Sequence, residues 1–503
     1  MRALKQTRSQ NPTASGVLDL KDKKITVMGI NPDGRGVQDA EFLARHGAKV
    51  VVTDMKNEKD LKESVIRLKK YKSISFALGG HRLRDFQNKD LIIRAAGAPL
   101  DSIYLKEAKE NRIEIKTDET IFLALAPKIV LVGVTGTKGK STVSHLIYEI
   151  LKSSGRPILR VKLRRAQRVF LAGNVRGQAA LPLLDEVKEG DVIIMELDSW
   201  KLQGFGDAKI SPRVAVFTNF YRDHLNYYKG DMKKYFGDKA NIFKYQKKDN
   251  ALIISQSAKN AIQKYYKGKI KSNIVETGKK YFPKSWCPLI LGEHNKENIA
   301  FAIKACEALG VSKSDIKKCV ESFKGVPGRL EFVREIKGVK YYNDTTATTP
   351  DATIAALRAL NSKRVILIAG GADKKLDYRE LAKEIPKYVK TLILFKGEAS
   401  EKLLRELRNI SDCHSRESGN PGAIRFHGIP SQAGNDRKKI KYYRLRIAEN
   451  ITSMKEAVKI AQSNAKNGDI ILLSPAAASF GVFKNEFDRG DQFCYLVNRT
   501  AKH

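Results

Sequence analysis

Cysteine is scarce and unpatterned in this chain. Its five cysteines (Cys287, Cys306, Cys319, Cys413, Cys494) form no C-x-x-C pair and no metal-binding spacing, and their number is odd. A disulfide scaffold or zinc module would need such patterns, so the usage fits a reduced, intracellular setting. Long apolar runs are missing too. None approaches the ~18 residues of a membrane-spanning helix, so no membrane span is expected. The opening MRALKQTRSQNPTASG has no apolar stretch of the kind a secretory signal requires. A soluble, cytoplasmic protein is therefore expected.

Acidic residues are in short supply. Asp+Glu number 55 against 93 Lys+Arg, a net charge of +38. Such an excess would suit a nucleic acid, but it also suits anionic metabolites. The basic residues are spread along the chain, with one local knot, RVKLRRAQR, at 160–168. That dispersion favours a solvated surface over a nucleic-acid footprint, and no nucleic-acid-binding motif occurs, so no specific nucleic-acid partner is expected.

The chain has 503 residues, enough for about three domains. After a polar tail at 1–22, KITVMGI reads as a buried strand, NPDGRG as a turn, VQDAEFLARHG as a helix and AKVVVTD as a strand ending at Asp54. Strand, glycine turn, helix, strand and acid is a dinucleotide-type layout, placing a Rossmann-like domain at 23–125. Asp54 and Gly97 are its substrate-contact candidates. A central P-loop ATPase-type α/β domain is expected at 126–324, with strands in DVIIMELD and RVAVFTNF. A Rossmann-like C-terminal domain is expected at 325–503, with strands in VKYYNDTT, KRVILIAGG, KTLILFKG and DIILLSPA. Gly, Ser, Pro and Asn crowd 411–439, which shows no period and reads as a surface insertion.

The richest stretch is GVTGTKGKST, Gly133 to Thr142, between the apolar run IVLVG and the helix-like VSHLIYEILKSSG. Gly136 and Gly139 let backbone N–H groups approach phosphate oxygens, with Thr137 and Lys138 between them. Lys140 places a cation on terminal phosphates. Ser141 or Thr142 can hold Mg²⁺, and the following helix start adds its positive dipole end. The strict pattern G-x-x-x-x-G-K-[ST] is not met, because Val134 occupies its first glycine position.

The spacing G-T-K-G-K-S-T resembles the variant loop of the Mur ligase superfamily, ATP-dependent amide ligases, and further stretches follow in the family's order. ELDSWKL resembles E-L-S-S-F-Q-L and TNFYRDHLNYY resembles N-x-x-x-D-H-x-D, with Asp198 and Asn226 as departures. The resemblance implies two Mg²⁺ ions held by Ser141, Glu196, His224 and Lys239, the last carrying a carbamate. GEHNKENIAFAI, VPGRLE and YYNDTTATTPDAT are similar to the stretches whose Asn295, Asn298, Arg329 and Asp344 would face ATP.

The closing DIILLSPAAASFGVFKNEFDRGDQF resembles the branch of the family that adds D-glutamate to UDP-N-acetylmuramoyl-L-alanine in peptidoglycan precursor synthesis. That likeness implies D-glutamate contacts at Lys374, Ser479 and Phe480, and a muramoyl-side contact at Asn174. Two departures stand out: Thr346 replaces a usual lysine, and Glu486 a usual aromatic. A monomer is expected. Other readings stay open: a sister ligase with another amino acid, a nucleic-acid-binding P-loop ATPase, and a Rossmann dehydrogenase. The diaminopimelate branch usually carries D-N-P-R, absent here.

Overall fold

Strand and helix periods alternate along nearly the whole chain, which favours parallel sheets flanked by helices. The computed structural model bears this out over the residues it describes: 20–30, 34–95, 98–155, 167–175, 178–224, 227–374, 376–417, 427–428, 445–479 and 481–499. The described residues form three sheets. They cluster into two units, Met1–Trp286 with Lys296–Val320, and Cys287–Asn295 with Glu321–His503.

The first unit holds two all-parallel sheets. In the first, β1 (Lys24–Met28), β2 (Lys49–Asp54), β3 (Ile74–Leu78), β4 (Leu91–Arg94) and β5 (Glu114–Lys116) lie in the order β3-β2-β1-β4-β5. The second contains β6 (Val130–Thr135), β7 (Val169–Gly173), β8 (Val192–Glu196), β9 (Val214–Phe217), β10 (Ala251–Ile254) and β11 (Asn273–Glu276), ordered β11-β10-β9-β6-β8-β7. Every residue of β6 and β8 is buried, as expected of central parallel strands covered on both faces. The order changes direction beside β6, so ligands are expected at the carboxyl ends of β6, β8 and β9. One hydrophobic cluster, including Phe42, Phe122, Leu197 and Phe217, runs through both sheets of this unit.

The second unit is built on β12 (Glu331–Ile336), β13 (Val339–Asn343), β14 (Val365–Gly370), β15 (Val389–Phe395), β16 (His427–Gly428), β17 (Arg446–Ile451) and β18 (Ile470–Leu473). Their order is β12-β13-β18-β14-β15-β17-β16. Period-two alternation sorts its residues: Leu367, Leu392 and Leu472 enter one core, and Ile368, Ile393 and Ile471 the other. Each such buried side chain contributes about 1.5–3 kcal/mol. The edge strand β12 runs antiparallel to β13, a hairpin closing at Lys337 and Gly338. Helix Glu398–Glu417 runs into the first residues of the stretch read from sequence as a surface insertion. Most of 418–439 lies outside the described residues.

Candidate active site

The phosphate loop joins β6 to helix Lys140–Ser154. That helix buries Val143, Leu146, Ile147, Ile150 and Leu151 at helical spacing and ends at Gly155 in a left-handed conformation. The loop's glycines are sterically required. At Gly136, with φ 147°, a Cβ would lie 1.9 Å from Thr218 Oγ1; at Gly139, with φ 84°, it would lie 2.3 Å from Asn298 Oδ1. Asn298 therefore packs directly on the loop. Lys140 Nζ donates to the carbonyls of Gly136 at 3.1 Å and Thr137 at 3.0 Å.

A second loop, after β9, braces the first. Thr218 Oγ1 donates to Lys138 O at 2.7 Å, and Asn219 Oδ1 accepts from Lys138 N at 2.8 Å. Thr137 N donates to Asn219 O, while Tyr221 N donates to Thr137 Oγ1 at 2.9 Å. Thr218 and Asn219 were not among the sequence candidates. Their signal, TNF at a strand end, is visible only once β9 is known to neighbour β6.

Lys239 lies on helix Met232–Lys244 and is buried. Its Nζ donates to Gly136 O at 2.9 Å and sits 5.1 Å from the Tyr235 ring centroid. Burial, with the nearby Lys140 charge, holds this amine well below the usual lysine range, although Asp198, Asp223 and Asp238 oppose the shift. His224 has φ 52° and packs its ring 4.7 Å from that of Trp200. Burial pushes its pKa down, with Lys239 and Lys140 adding to the effect and Asp223 opposing it. Glu196 ends β8, paired with Val134 of β6 and Gly173 of β7, and is buried. Ser141 and Thr142 open the helix, Ser141 being buried.

The donor chemistry here fits a hard cation only in part. Mg²⁺ prefers oxygen, which Ser141 and Glu196 supply and an unmodified amine does not. Among the described residues, no group of three or more His, Cys, Asp or Glu side chains is gathered to hold a metal. A carbamate on Lys239 would convert that nitrogen into an oxygen donor.

Asn174 follows β7, its N–H donating to Glu196 O at 2.8 Å, and Arg35 Nη1 reaches Asn174 Oδ1 at 3.3 Å. These residues help line a cavity of about 350 Å³, with Gly29, Arg94, Asp118 and Lys201 on its other walls. Asp54 receives Ile30 N and Lys56 N, each at 2.9 Å, so its carboxylate fastens the turn after β1. Gly97 and Phe480 lie outside the described residues.

In the second unit, Asp344 is buried at the end of β13 and accepts from Leu330 N at 2.9 Å and Ser474 Oγ at 2.8 Å. Burial pushes its carboxyl up to about 7 against these bonds. Arg329, beside Gly328, is exposed. Thr346, at the family's lysine position, donates through Oγ1 to Gly328 O at 2.8 Å. Asn295 Nδ2 donates to Leu291 O at 2.7 Å. Lys374 Nζ donates to Thr348 Oγ1 at 2.9 Å. Burial lowers its pKa, and Glu486 opposes this. Ala372 and Ala478 exchange two backbone bonds of 3.1 Å, so the loops carrying Lys374 and Ser479 lie side by side.

Three α/β sheets, with a braced phosphate loop at the central switch point, define a nucleotide-using enzyme class. The match to known proteins is more specific. Residues 134–286 match the Mur ligase middle domain and 328–477 the Mur ligase glutamate ligase domain, and the chain belongs to the Mur ligase family. It is 33% identical to the UDP-N-acetylmuramoylalanine–D-glutamate ligase of Roseiflexus sp. strain RS-1, over 95% of this chain and 99% of that relative. The ligases of the same name from Borreliella burgdorferi (96% and 99% covered) and Acetivibrio thermocellus (95% and 97%) are each 32% identical. The crystal structure of UDP-N-acetylmuramate–alanine ligase from Thermotoga maritima aligns with a TM-score of 0.55 at 14% identity, covering 95% of this chain and 99% of that one. This last likeness concerns the fold.

Proposed function

We propose that the chain joins D-glutamate to UDP-N-acetylmuramoyl-L-alanine at the expense of ATP, in the cytoplasmic synthesis of peptidoglycan precursors. The observation that carries this reading is its near-complete overlap with the D-glutamate ligases of three distant bacteria.

A carboxylate is a poor electrophile, so the alanyl carboxylate first attacks the γ-phosphorus of ATP, giving an acyl phosphate and ADP. The amine of D-glutamate, having lost a proton, then attacks the acyl carbon. The tetrahedral adduct expels phosphate and leaves the amide. The loop amides from Gly136 to Ser141 cradle the phosphates, and Lys140 exchanges its contacts with the Gly136 and Thr137 carbonyls for phosphate oxygens. Asn295 and Asn298 face the adenine nucleotide, Arg329 its phosphates and Asp344 its ribose.

Ser141, Glu196, His224 and carbamylated Lys239 would hold Mg²⁺, which when bound neutralises phosphate charge. Carbamylation needs a neutral amine, the state that burial favours at Lys239. Asn174, Asp54 and Gly97 serve the UDP-sugar substrate. Lys374, Ser479 and Phe480 serve D-glutamate, whose carboxylates call for a cation.

The test is ADP release that requires both UDP-N-acetylmuramoyl-L-alanine and D-glutamate. L-Alanine, L-lysine and L-glutamate should each fail to replace D-glutamate, and equal turnover with any of them would overturn the assignment.

A further inference from the structure

We propose that Arg489 is a positioning residue that ties the loop after β13, carrying Asp344, to the loop after β18, carrying Ser479, so that the nucleotide-side and amino-acid-side contacts of the second unit are set as one piece. The inference rests on the function proposed above and deepens it.

Arg489 lies in the stretch KNEFDRG, on helix Glu486–Arg499, and is 0% exposed. Its guanidinium reaches two loops at once. Nε donates to Thr345 Oγ1 at 3.1 Å and Nη2 to Thr345 O at 2.9 Å, while Nη1 donates to Ala477 O at 3.3 Å. Thr345 Oγ1 in turn donates to Glu486 O at 2.6 Å, so the hydroxyl locks the loop to the start of the same helix. None of these bonds runs to a carboxylate. Burying a cation against a hydroxyl and backbone carbonyls is expensive, and an apolar side chain would fill a helix interior at lower cost. What the planar fork of donors supplies, and an apolar residue does not, is a fixed distance between the groups it holds.

The two loops need such fixing. Ala476 sits in the left-handed region with φ 58°, a conformation that persists only where its surroundings enforce it. Ala476 N donates to Ala347 O at 2.8 Å, and Tyr378 Oη donates to Ala476 O at 3.0 Å. Thr345 adjoins Asp344, and Ala477 lies two residues before Ser479. Arg489 thus adds to the Ser474–Asp344 and Ala476–Ala347 bonds a further link through which a shift at one contact reaches the other.

The experiment measures KM for ATP, D-glutamate and UDP-N-acetylmuramoyl-L-alanine separately, in wild type, Arg489→Lys and Thr345→Val, with melting temperatures alongside. Displacements of about 1 Å near a reacting centre are costly, so Arg489→Lys should raise the KM values for ATP and D-glutamate together by about tenfold, leaving that for the UDP-sugar within about twofold. Thr345→Val keeps the side-chain shape and removes the acceptor, and should give the same paired pattern more weakly. The double variant should fall short of the sum of the two.

Unchanged KM values in folded Arg489→Lys, a rise in only one of the pair, or an equal rise in all three would overturn the proposal. Should Arg489→Lys fail to fold, Thr345→Val decides by the same criteria. A wild-type enzyme without D-glutamate-dependent ADP release would instead defeat the function proposed above.

Discussion

Lys239 Nζ donates to the carbonyl of Gly136 at 2.9 Å, and both residues are buried. A permanently charged ammonium there would face Lys140 at close quarters, and the combined effect is an amine held well below its usual range. The neutral amine is the form that reacts with CO₂, and burial favours that form here. In the proposed reaction, Lys239→Ala should lose about 10²–10³-fold in rate, the scale of one lost electrostatic contact in an active site. A small carboxylate such as formate should restore part of it by occupying the carbamate's place. Wild type should slow in CO₂-depleted buffer and recover on adding bicarbonate. Indifference to both treatments would leave Lys239 as a plain hydrogen-bond donor.

Lys140 is the next test, since its ammonium already rests on the Gly136 and Thr137 carbonyls. Lys140→Ala should weaken ATP binding and lower the rate by about 10²–10³-fold, with circular dichroism unchanged. Full amide synthesis in a folded Lys140→Ala enzyme would remove acyl phosphate formation from the scheme.

How legible this site was in sequence depended on distance along the chain. The phosphate loop could be read directly, because its glycines, lysine and hydroxyls are consecutive and the apolar runs on either side have strand and helix periods. The Thr218–Asn219 brace could not, since it acts on Lys138 across |i−j| of 80 and 81, a separation that local patterning does not encode. Lys239 was picked out only by resemblance. Its burial against Gly136 follows from the packing of helix Met232–Lys244, which no periodicity ties to a phosphate loop. Asp54 was legible as a strand-end acid, but not as the acceptor for Ile30 N and Lys56 N, because turn closure depends on three-dimensional register. The antiparallel β12 was missed for a related reason: Lys337-Gly338 reads as an ordinary turn within a pattern otherwise typical of parallel strands.

Asp344 gives a prediction in pH. Its carboxyl is raised from 3.8 to about 7 by burial, so between these values the folded protein binds more protons than the unfolded chain. Stability contributed by this group is therefore complete below about pH 4 and is lost as pH rises through about 7. Asp344→Asn, which cannot titrate, should flatten this part of the melting-temperature profile between pH 4 and 7. A profile of the same slope in the variant would assign the trend to other groups.

Lys201 and Glu119 form an ion pair that is almost wholly out of solvent, 4% and 0% exposed at their side chains, and Lys201 also lines the cavity described above. Burying two charges is costly, and their attraction offsets that cost only while both are present. Lys201→Met should therefore destabilise the first unit by about 3–5 kcal/mol, because Glu119 would be left charged without its cation. The double variant Lys201→Met with Glu119→Leu removes both charges and should recover most of the loss, with a melting temperature close to wild type. Measuring all three proteins at one pH and salt concentration separates the cost of an orphaned charge from the worth of the pair. If the double variant melts no higher than Lys201→Met alone, the pair is held for packing, and the electrostatic account of this corner of the fold fails.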